Sequence, residues 1–459
     1  MATDREAVVW TRCGDAPIRM GKLLVTDSQS RFTYDQAFID SGLPGIGVLF
    51  QAGDFGRTTI TWERSAYFDM HPQFQSLVPP SSDDNFQRRL ILAYLNKKGI
   101  QYKSGFDTDW KIMMMAGHGA IGHIDVFESD ERAMEWYQDI QNTELFTIKD
   151  DFGFSLKEFL TWMDDDAGPL LAALGPTPSV GGAIPKLLLS IPGSGWDGRV
   201  ALPRRGNVPD RTDVILKIEK GSYAGIVELE ALTLDIHKEA GFEVPRYWCT
   251  EVNGLNAIAV ERYDRDSTGK PVFTESVYSV MASGSKDVTN HYSVPYDAIG
   301  SALQPTGIPP FVADPKHERT HFLKRLLYAF ATGNGDLHME NLCFIQNPQG
   351  EITFSPIYDP TPMRAYSRHD ELAPPEMSFG GYGDFDKNDK IIGFKKAVRN
   401  FARSLDIKKG QLSNIIEEVL EYTRDYDQRI DALKSLPDEN KQHLIEVVRR
   451  EQRALEKIF

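Results

Sequence analysis

Between Asp164 and Ser179 the chain runs Asp-Asp-Asp-Ala-Gly-Pro, a short Leu/Ala stretch, then Gly-Pro-Thr-Pro-Ser. Gly and Pro at that density interrupt regular structure. The two sides of this break read differently, so it constrains the fold more than any other feature. Upstream, residues 1–150 mix alternating runs, Met20 to Thr26 and Gly45 to Gln51, with helical patterns such as Asn85 to Lys98. That mixture predicts a small α+β domain, and residues 151–178 read as a linker with short helices. Downstream, Lys186–Ile191 and Arg199–Leu202 flank a Gly-rich turn and read as a hairpin. Thr212–Ile218 and Ala257–Glu261 read as strands around a helix at Val227–Lys238 that stops at Gly241. From about residue 320 helices dominate: Phe322–Ala331, Lys395–Leu405, Leu412–Tyr426 and Asn440–Lys457. The expected fold class is α+β, a small N-terminal domain followed by a strand-rich lobe over 179–264 and a helical lobe over 265–459. With 459 residues there is room for two or three such domains.

Composition narrows the chemistry. Acidic residues number 66 against 51 basic ones, for a net charge of −15. Phosphate backbones attract net positive surface, so bulk electrostatics exclude wrapping of nucleic acid. The three cysteines, Cys13, Cys249 and Cys343, are far apart, which excludes a disulfide framework or a cysteine-rich zinc cluster and suits a reducing compartment. No secretory h-region and no membrane-spanning apolar run is evident, so a cytoplasmic location is expected.

The segment Gly333-Asn334-Gly335-Asp336-Leu337-His338-Met339-Glu340-Asn341 carries the most specific signal. Phosphoryl transfer needs a carboxylate to orient or deprotonate the acceptor hydroxyl and a carboxamide oxygen on Mg²⁺. Asp336 and Asn341 have the five-residue spacing of that pair. A turn-forming loop rich in Gly, Asn and Asp is the plain alternative. A second metal-binding acid is expected after a short hairpin. Leu342–Gln346 and Ile352–Pro356, joined by Asn347-Pro348-Gln349-Gly350, deliver Asp359 there. A strand lysine held by a helix glutamate completes the set: Lys217, with Glu230 as its partner and Glu228 as competitor. Two segments compete as phosphate loop. Gly193-Ser194-Gly195-Trp196-Asp197-Gly198-Arg199-Val200 matches a Gly-rich nucleotide pattern, yet a hairpin turn explains its glycines. Upstream, Ser179-Val180-Gly181-Gly182-Ala183-Ile184-Pro185-Lys186 offers backbone N–H groups and a capping lysine.

Taken in order, these segments resemble the HipA-like serine/threonine kinases, toxins of bacterial toxin–antitoxin pairs. The resemblance adds Gly241-Phe242-Glu243-Val244-Pro245, a hinge at Val260-Glu261-Arg262-Tyr263-Asp264-Arg265, and an N-terminal portion around Met20-Gly21-Lys22-Leu23 and Phe32-Thr33-Tyr34-Asp35. It implies a two-lobed protein-kinase-like domain using ATP and Mg²⁺. Asp336 would be the base, with His338 in the same loop, and Asn341 and Asp359 the metal ligands. It makes the upstream segment, Val180 through Lys186, the phosphate loop and Gly193–Gly198 a hairpin turn. The Glu261 and Tyr263 backbone would meet adenine, and Asp264 the ribose. Ser179 stands where the family carries an autophosphorylated serine. A helix-turn-helix antitoxin of HipB type is the implied partner, with DNA reached only through it. The implied substrate is a translation protein of the aminoacyl-tRNA synthetase class.

Departures from the family are visible. Ile184 stands where Gln is usual, and Glu340 where Lys often precedes the catalytic-loop Asn. Ser279–Leu303 matches only loosely. Two other functions stay open at this stage. One is a small-molecule phosphotransferase, whose loop Gly335–His338 followed by Asn341 would look alike. The other is a non-catalytic co-repressor bound to a DNA-binding antitoxin.

Overall fold

The computed structural model describes residues 4–81, 85–139, 145–147, 186–206, 208–219, 221–252, 255–307 and 309–459. The break at Asp164–Ser179 and the loop Ser179–Pro185 lie outside them. The chain forms two compact units, residues 1–220 with 246–275, and residues 221–245 with 276–459.

Among the described residues, the first unit holds a five-stranded and a four-stranded antiparallel sheet and one two-stranded pair. The five-stranded sheet is built from β1 (Arg5–Thr11), β2 (Ile18–Val25), β3 (Gln29–Tyr34), β4 (Thr59–Glu63) and β5 (Asp125–Phe127), in the order β4-β3-β2-β1-β5. Side chains alternate across a strand, so β1 serves two cores. Ala7 and Val9 join the main cluster with Leu23, Phe32, Phe74 and Ile112. Val8 turns the other way, onto Phe127, Ala133 and Tyr137. The helix Phe86–Lys97 starts where Asn85 accepts the Arg88 N–H at 2.9 Å and ends before Gly99, at φ +69°. Gly45–Gln51, read as alternating and strand-like, is instead a loop closed by a single Gly47–Phe50 bridge. Its Val48 N–H goes to the Glu275 carboxylate at 2.6 Å rather than to a neighbouring strand.

Strands β6 (Phe146–Thr147) and β8 (Arg199–Val200) form the two-stranded pair. The second sheet is built from β7 (Lys186–Pro192), β9 (Arg211–Ile218), β10 (Tyr247–Val252) and β11 (Leu255–Glu261), in the order β10-β11-β9-β7. Residues 193–198 turn the chain from β7 to β8. The Gly195 N–H returns to the Pro192 carbonyl at 3.0 Å, and Asp197 holds the Arg199 N–H at 3.0 Å. The Gly-rich pattern is thus a hairpin turn.

The second unit is mainly helical. The helix Ile226–Glu239 buries Leu229, Glu230, Thr233, Ile236 and His237. The long helix Pro315–Thr332 is capped by Asp314, which accepts the N–H groups of Lys316 and His317 at 3.0 Å each, with Pro315 at the first position. Phe394–Ser404, Lys409–Tyr422, Tyr426–Asp431 and Asp438–Glu456 follow. The expected single helix Leu412–Tyr426 is two helices. Thr423 bonds back to the Val419 carbonyl at 2.7 Å, and the chain turns there before resuming at Tyr426. The hairpin Cys343–Gln346/Ile352–Phe354 forms as expected around Asn347, whose side chain accepts the N–H groups of Gln349 and Glu351.

Candidate active site

The segment from Gly333 to Asn341 begins at a helix end. Gly333 adopts φ +79°, and the Asn334 N–H bonds back to the Ala329 carbonyl at 2.8 Å, which ends Pro315–Thr332 abruptly. Gly335 is required for a different reason: a Cβ there would stand 2.3 Å from the Glu371 carbonyl oxygen. The loop then ties itself together. Asn334 accepts the Asp336 N–H at 2.9 Å. The Asp336 carbonyl accepts the His338 N–H at 2.9 Å and the Asn341 side-chain amide at 2.9 Å. Because Asn341 donates through Nδ2, its Oδ1 points the other way, and an amide oxygen held in that fashion suits a hard cation.

The Asp336 carboxylate belongs to a side chain that is 43% exposed. The Tyr292 hydroxyl lies 3.5 Å from its Oδ1, and His338 Nε2 lies 3.9 Å from its Oδ2. Burial, then the charge of Asp336, push the Tyr292 hydroxyl well above its ordinary range, so it stays a donor. Tyr292 escaped the sequence reading. It lies 44 residues from Asp336, in the segment that matches the family loosely, and no local pattern marks it.

Asp359 occupies the left-handed region at φ +52°. Such a conformation costs about 1 kcal/mol or more for a residue with a Cβ, least for Asp and Asn, and clusters at functional sites. Its neighbour Tyr358 donates to the Glu340 carbonyl at 2.5 Å and contacts Cys343 Sγ at 2.9 Å. The residues flanking Asp359 are thereby pinned to the residues flanking Asn341. Asn334, Leu337, Asn341, Ile357, Tyr358 and Pro360 border one small cavity. A carboxylate and a carboxamide oxygen are the kinds of donor that suit Mg²⁺.

On the same long segment of sequence, Glu228 and Glu230 separate. Glu228 accepts the N–H groups of Lys434 and Ser435 at 2.9 and 2.7 Å, a structural task. Glu230 is buried on the opposite side of the helix stripe, at 2% exposure.

In the first unit, Lys186 and Lys217 are direct cross-strand partners in the β7–β9 register, so both ammonium-bearing side chains project from one face of the sheet. Both are buried. The Gln87 amide donates to the Lys186 carbonyl and holds the start of β7. At the hinge, the Glu261 N–H is taken by the Arg246 carbonyl at 2.8 Å, and its carboxylate by the Arg246 guanidinium at 2.7 Å. An adenine edge would therefore have to meet the carbonyl of Glu261.

Asp264 does not fit the ribose role. Its side chain is fully buried, with Arg262 and Arg265 each 2.7 Å from Oδ2, Arg262 also 2.9 Å from Oδ1, and the Gly122 N–H at 2.7 Å. The two arginines continue to the carbonyls of Gly119, Ala120 and Gly122. Burial alone would raise the Asp264 carboxyl, but the two guanidiniums outweigh it and hold it at about 2. Oδ2 accepts three of these bonds and Oδ1 the fourth, and the side chain has no exposed surface for a sugar hydroxyl to reach.

Residues 178–426 match the family model of the HipA-like C-terminal domain, more than half of the chain. The chain belongs to the HipA-like family. Among curated proteins, one from Haemophilus influenzae named "Putative kinase" is 30% identical over 191 residues, 39% of this chain and 51% of that protein. A Sinorhizobium fredii protein named "Putative kinase Y4dM" is 26% identical over 159 residues, 32% of this chain and 36% of that one. The chain thus spans about half and about a third of the length of these relatives. A solved structure of Shewanella oneidensis MR-1 HipA, taken from its complex with HipB and operator DNA, superposes with a TM-score of 0.62 at 16% identity, covering 98% of this chain and 97% of that one. The fold is therefore the kinase-like α+β fold of HipA. Among the described residues, no helix is long and apolar enough to cross a membrane.

Proposed function

We propose that the chain is a Mg²⁺·ATP-dependent serine/threonine protein kinase, acting in the cytoplasm as the toxin of a toxin–antitoxin pair. The observation that carries this reading is the self-bonded loop. It holds the Asp336 carboxylate toward solvent and turns the Asn341 carbonyl oxygen outward through the bond from Nδ2 to the Asp336 backbone. Asp336 would orient the acceptor hydroxyl and take its proton. Tyr292, kept protonated, and His338 would fix the carboxylate's orientation. Asn341 and Asp359 would hold Mg²⁺, which when bound neutralises charge on the transferring phosphoryl group.

The buried pair Lys186 and Lys217 supports a polyanion site on its sheet face. Two ammonium groups carried by one sheet face would attract the phosphates of a nucleotide. The segment Val180-Gly181-Gly182-Ala183-Ile184 before Pro185 would supply backbone N–H groups to the same phosphates. The Glu261 carbonyl and the Tyr263 backbone would receive adenine. Phosphate on Ser179 would place a charge near −2 beside that loop and expel nucleotide, switching the kinase off. A HipB-type antitoxin would carry the contact with DNA, consistent with the net charge of −15 on this chain. The substrate would be a protein of the translation apparatus, such as an aminoacyl-tRNA synthetase.

The test is transfer of labelled phosphate from ATP by the wild-type chain and Asp336→Ala in cell extract. Labelled protein bands that vanish in the variant are expected. Label confined to small metabolites would favour a small-molecule phosphotransferase, and equal labelling by both chains would remove Asp336 from the mechanism.

A further inference from the structure

Beside the proposed base, His291, His338 and Glu340 bring two imidazole nitrogens and a carboxylate oxygen within 4.8 Å of one another. We propose that these three residues form a site for a divalent transition metal, best matched by Zn²⁺, distinct from the Mg²⁺ ligands, and that its occupancy slows transfer. Glu340 replaces the lysine that the family resemblance leads one to expect, which exchanges a positive charge for a ligand. His291 comes from a separate segment.

The donors are held in place by backbone bonds. The His291 carbonyl accepts the Met339 N–H at 3.2 Å, which docks its segment on the loop. His291 Nδ1 lies 3.4 Å from Glu340 Oε2. The two imidazole rings are 4.6 Å apart, and the Tyr292 ring packs against both, at 4.1 and 5.3 Å. All three side chains are partly buried, so a metal could enter without unfolding anything. Bonds of ~2.0–2.2 Å in a tetrahedral site put neighbouring ligand atoms roughly 3.3 Å apart. The present cluster therefore needs only small side-chain rotations to close. Imidazole and carboxylate donors suit Zn²⁺ and Co²⁺ over Mg²⁺, and three protein ligands leave a position open.

His338 Nδ1 faces the Glu340 N–H at 3.2 Å and so carries a lone pair, while its Nε2 faces Asp336 at 3.9 Å. A metal that displaces this N–H and takes the Nδ1 lone pair would keep the proton on Nε2, facing the Asp336 carboxylate, as in carboxylate–histidine–metal triads. A carboxylate engaged in this way is a poorer proton acceptor. The inhibitory consequence rests on Asp336 being the base, whereas the binding does not.

Titration with Co²⁺, followed by the visible absorption of tetrahedral cobalt, reads the site directly. Stoichiometric binding by the wild type is expected, weakened roughly tenfold or more in His291→Ala and in the near-isosteric Glu340→Gln, with circular dichroism unchanged. His317→Ala, which alters a histidine pair on the helix Pro315–Thr332, should bind as the wild type does. Absence of stoichiometric binding, or equal binding by wild type and Glu340→Gln, overturns the site. In a phosphate-transfer assay with Mg²⁺, added Zn²⁺ should inhibit the wild type at concentrations that spare Glu340→Gln. Equal inhibition of both overturns the coupling. The cobalt titration does not depend on activity, so failure of the kinase reading and failure of the metal site give different results.

Discussion

Two turns of this chain each present an aspartate expected to serve nucleotide chemistry, Asp336 by its spacing to Asn341 and Asp264 by the family resemblance. At Gly333–Asn341 the loop ties its own backbone together, and the carboxylate is 43% exposed, with the Tyr292 hydroxyl at 3.5 Å and His338 at 3.9 Å. At Glu261–Arg265 the backbone is anchored by strand pairing, and the carboxylate is the hub of a fully buried lock of two arginines and a main-chain N–H. An acid that is to meet a substrate must keep unspent hydrogen-bonding capacity near solvent. An acid that holds a fold must spend it. The difference lies in what covers each acid: Gly119–Gly122 close over Asp264 and its two arginines, whereas the Asp336 side chain stays 43% exposed.

Substitutions can break or sharpen that contrast. Asp336→Ala should lower phosphate transfer by about a thousandfold or more, while urea unfolding shifts by no more than ~0.5 kcal/mol. A large loss of stability would make Asp336 a second lock. Asp264→Ala should do the reverse. It strands two buried guanidiniums, at a cost of about 3–5 kcal/mol in urea unfolding. Whatever protein remains folded should keep its nucleotide affinity, and a selective loss of that affinity would restore Asp264 to the ribose.

Asn341→Ala should reduce transfer by roughly a hundredfold and raise the Mg²⁺ concentration needed for half-maximal rate, because it removes a proposed ligand and the bond that shapes the loop. An unchanged Mg²⁺ requirement would confine Asn341 to a structural role. The pH dependence of stability should carry the signature of the Asp264 lock. Its carboxyl is held at about 2, below the ~3.9 of an unfolded aspartate, so its contribution is complete above pH ~4 and lost as pH falls through about 2. On the order of 2 kcal/mol should disappear over that window in wild type and be absent in Asp264→Asn. Smallest of all, Glu228→Gln should cost about 1 kcal/mol through the Lys434 and Ser435 N–H groups with little change in transfer, whereas Glu230→Gln should act mainly on activity. Equal activity losses would return Glu228 to contention.

Much of the fold and part of the site could be read from the chain because the responsible forces are local. The helix before Gly333, the hairpin around Asn347 and the turn at Gly193–Gly198 follow from caps, glycine conformations and side-chain turns spanning a few residues. Local patterns also misled where the answer was distant. Gly45–Gln51 alternates like a strand but spends its Val48 N–H on Glu275, 227 residues away.

By itself, then, the sequence determined the order of the segments, the spacing of Asp336, Asn341 and Asp359, and the membership of the HipA-like family, since spacing and helix or strand period are properties of the covalent chain. The tertiary structure alone decided which acids are spent. Strand register set Lys186 opposite Lys217, helix packing gave Glu228 to a backbone turn and buried Glu230, and a loop from 143 residues away closed over Arg262 and Asp264. Hydrogen bonds and desolvation depend on distance in space, and no linear pattern records what folding brings within three ångströms.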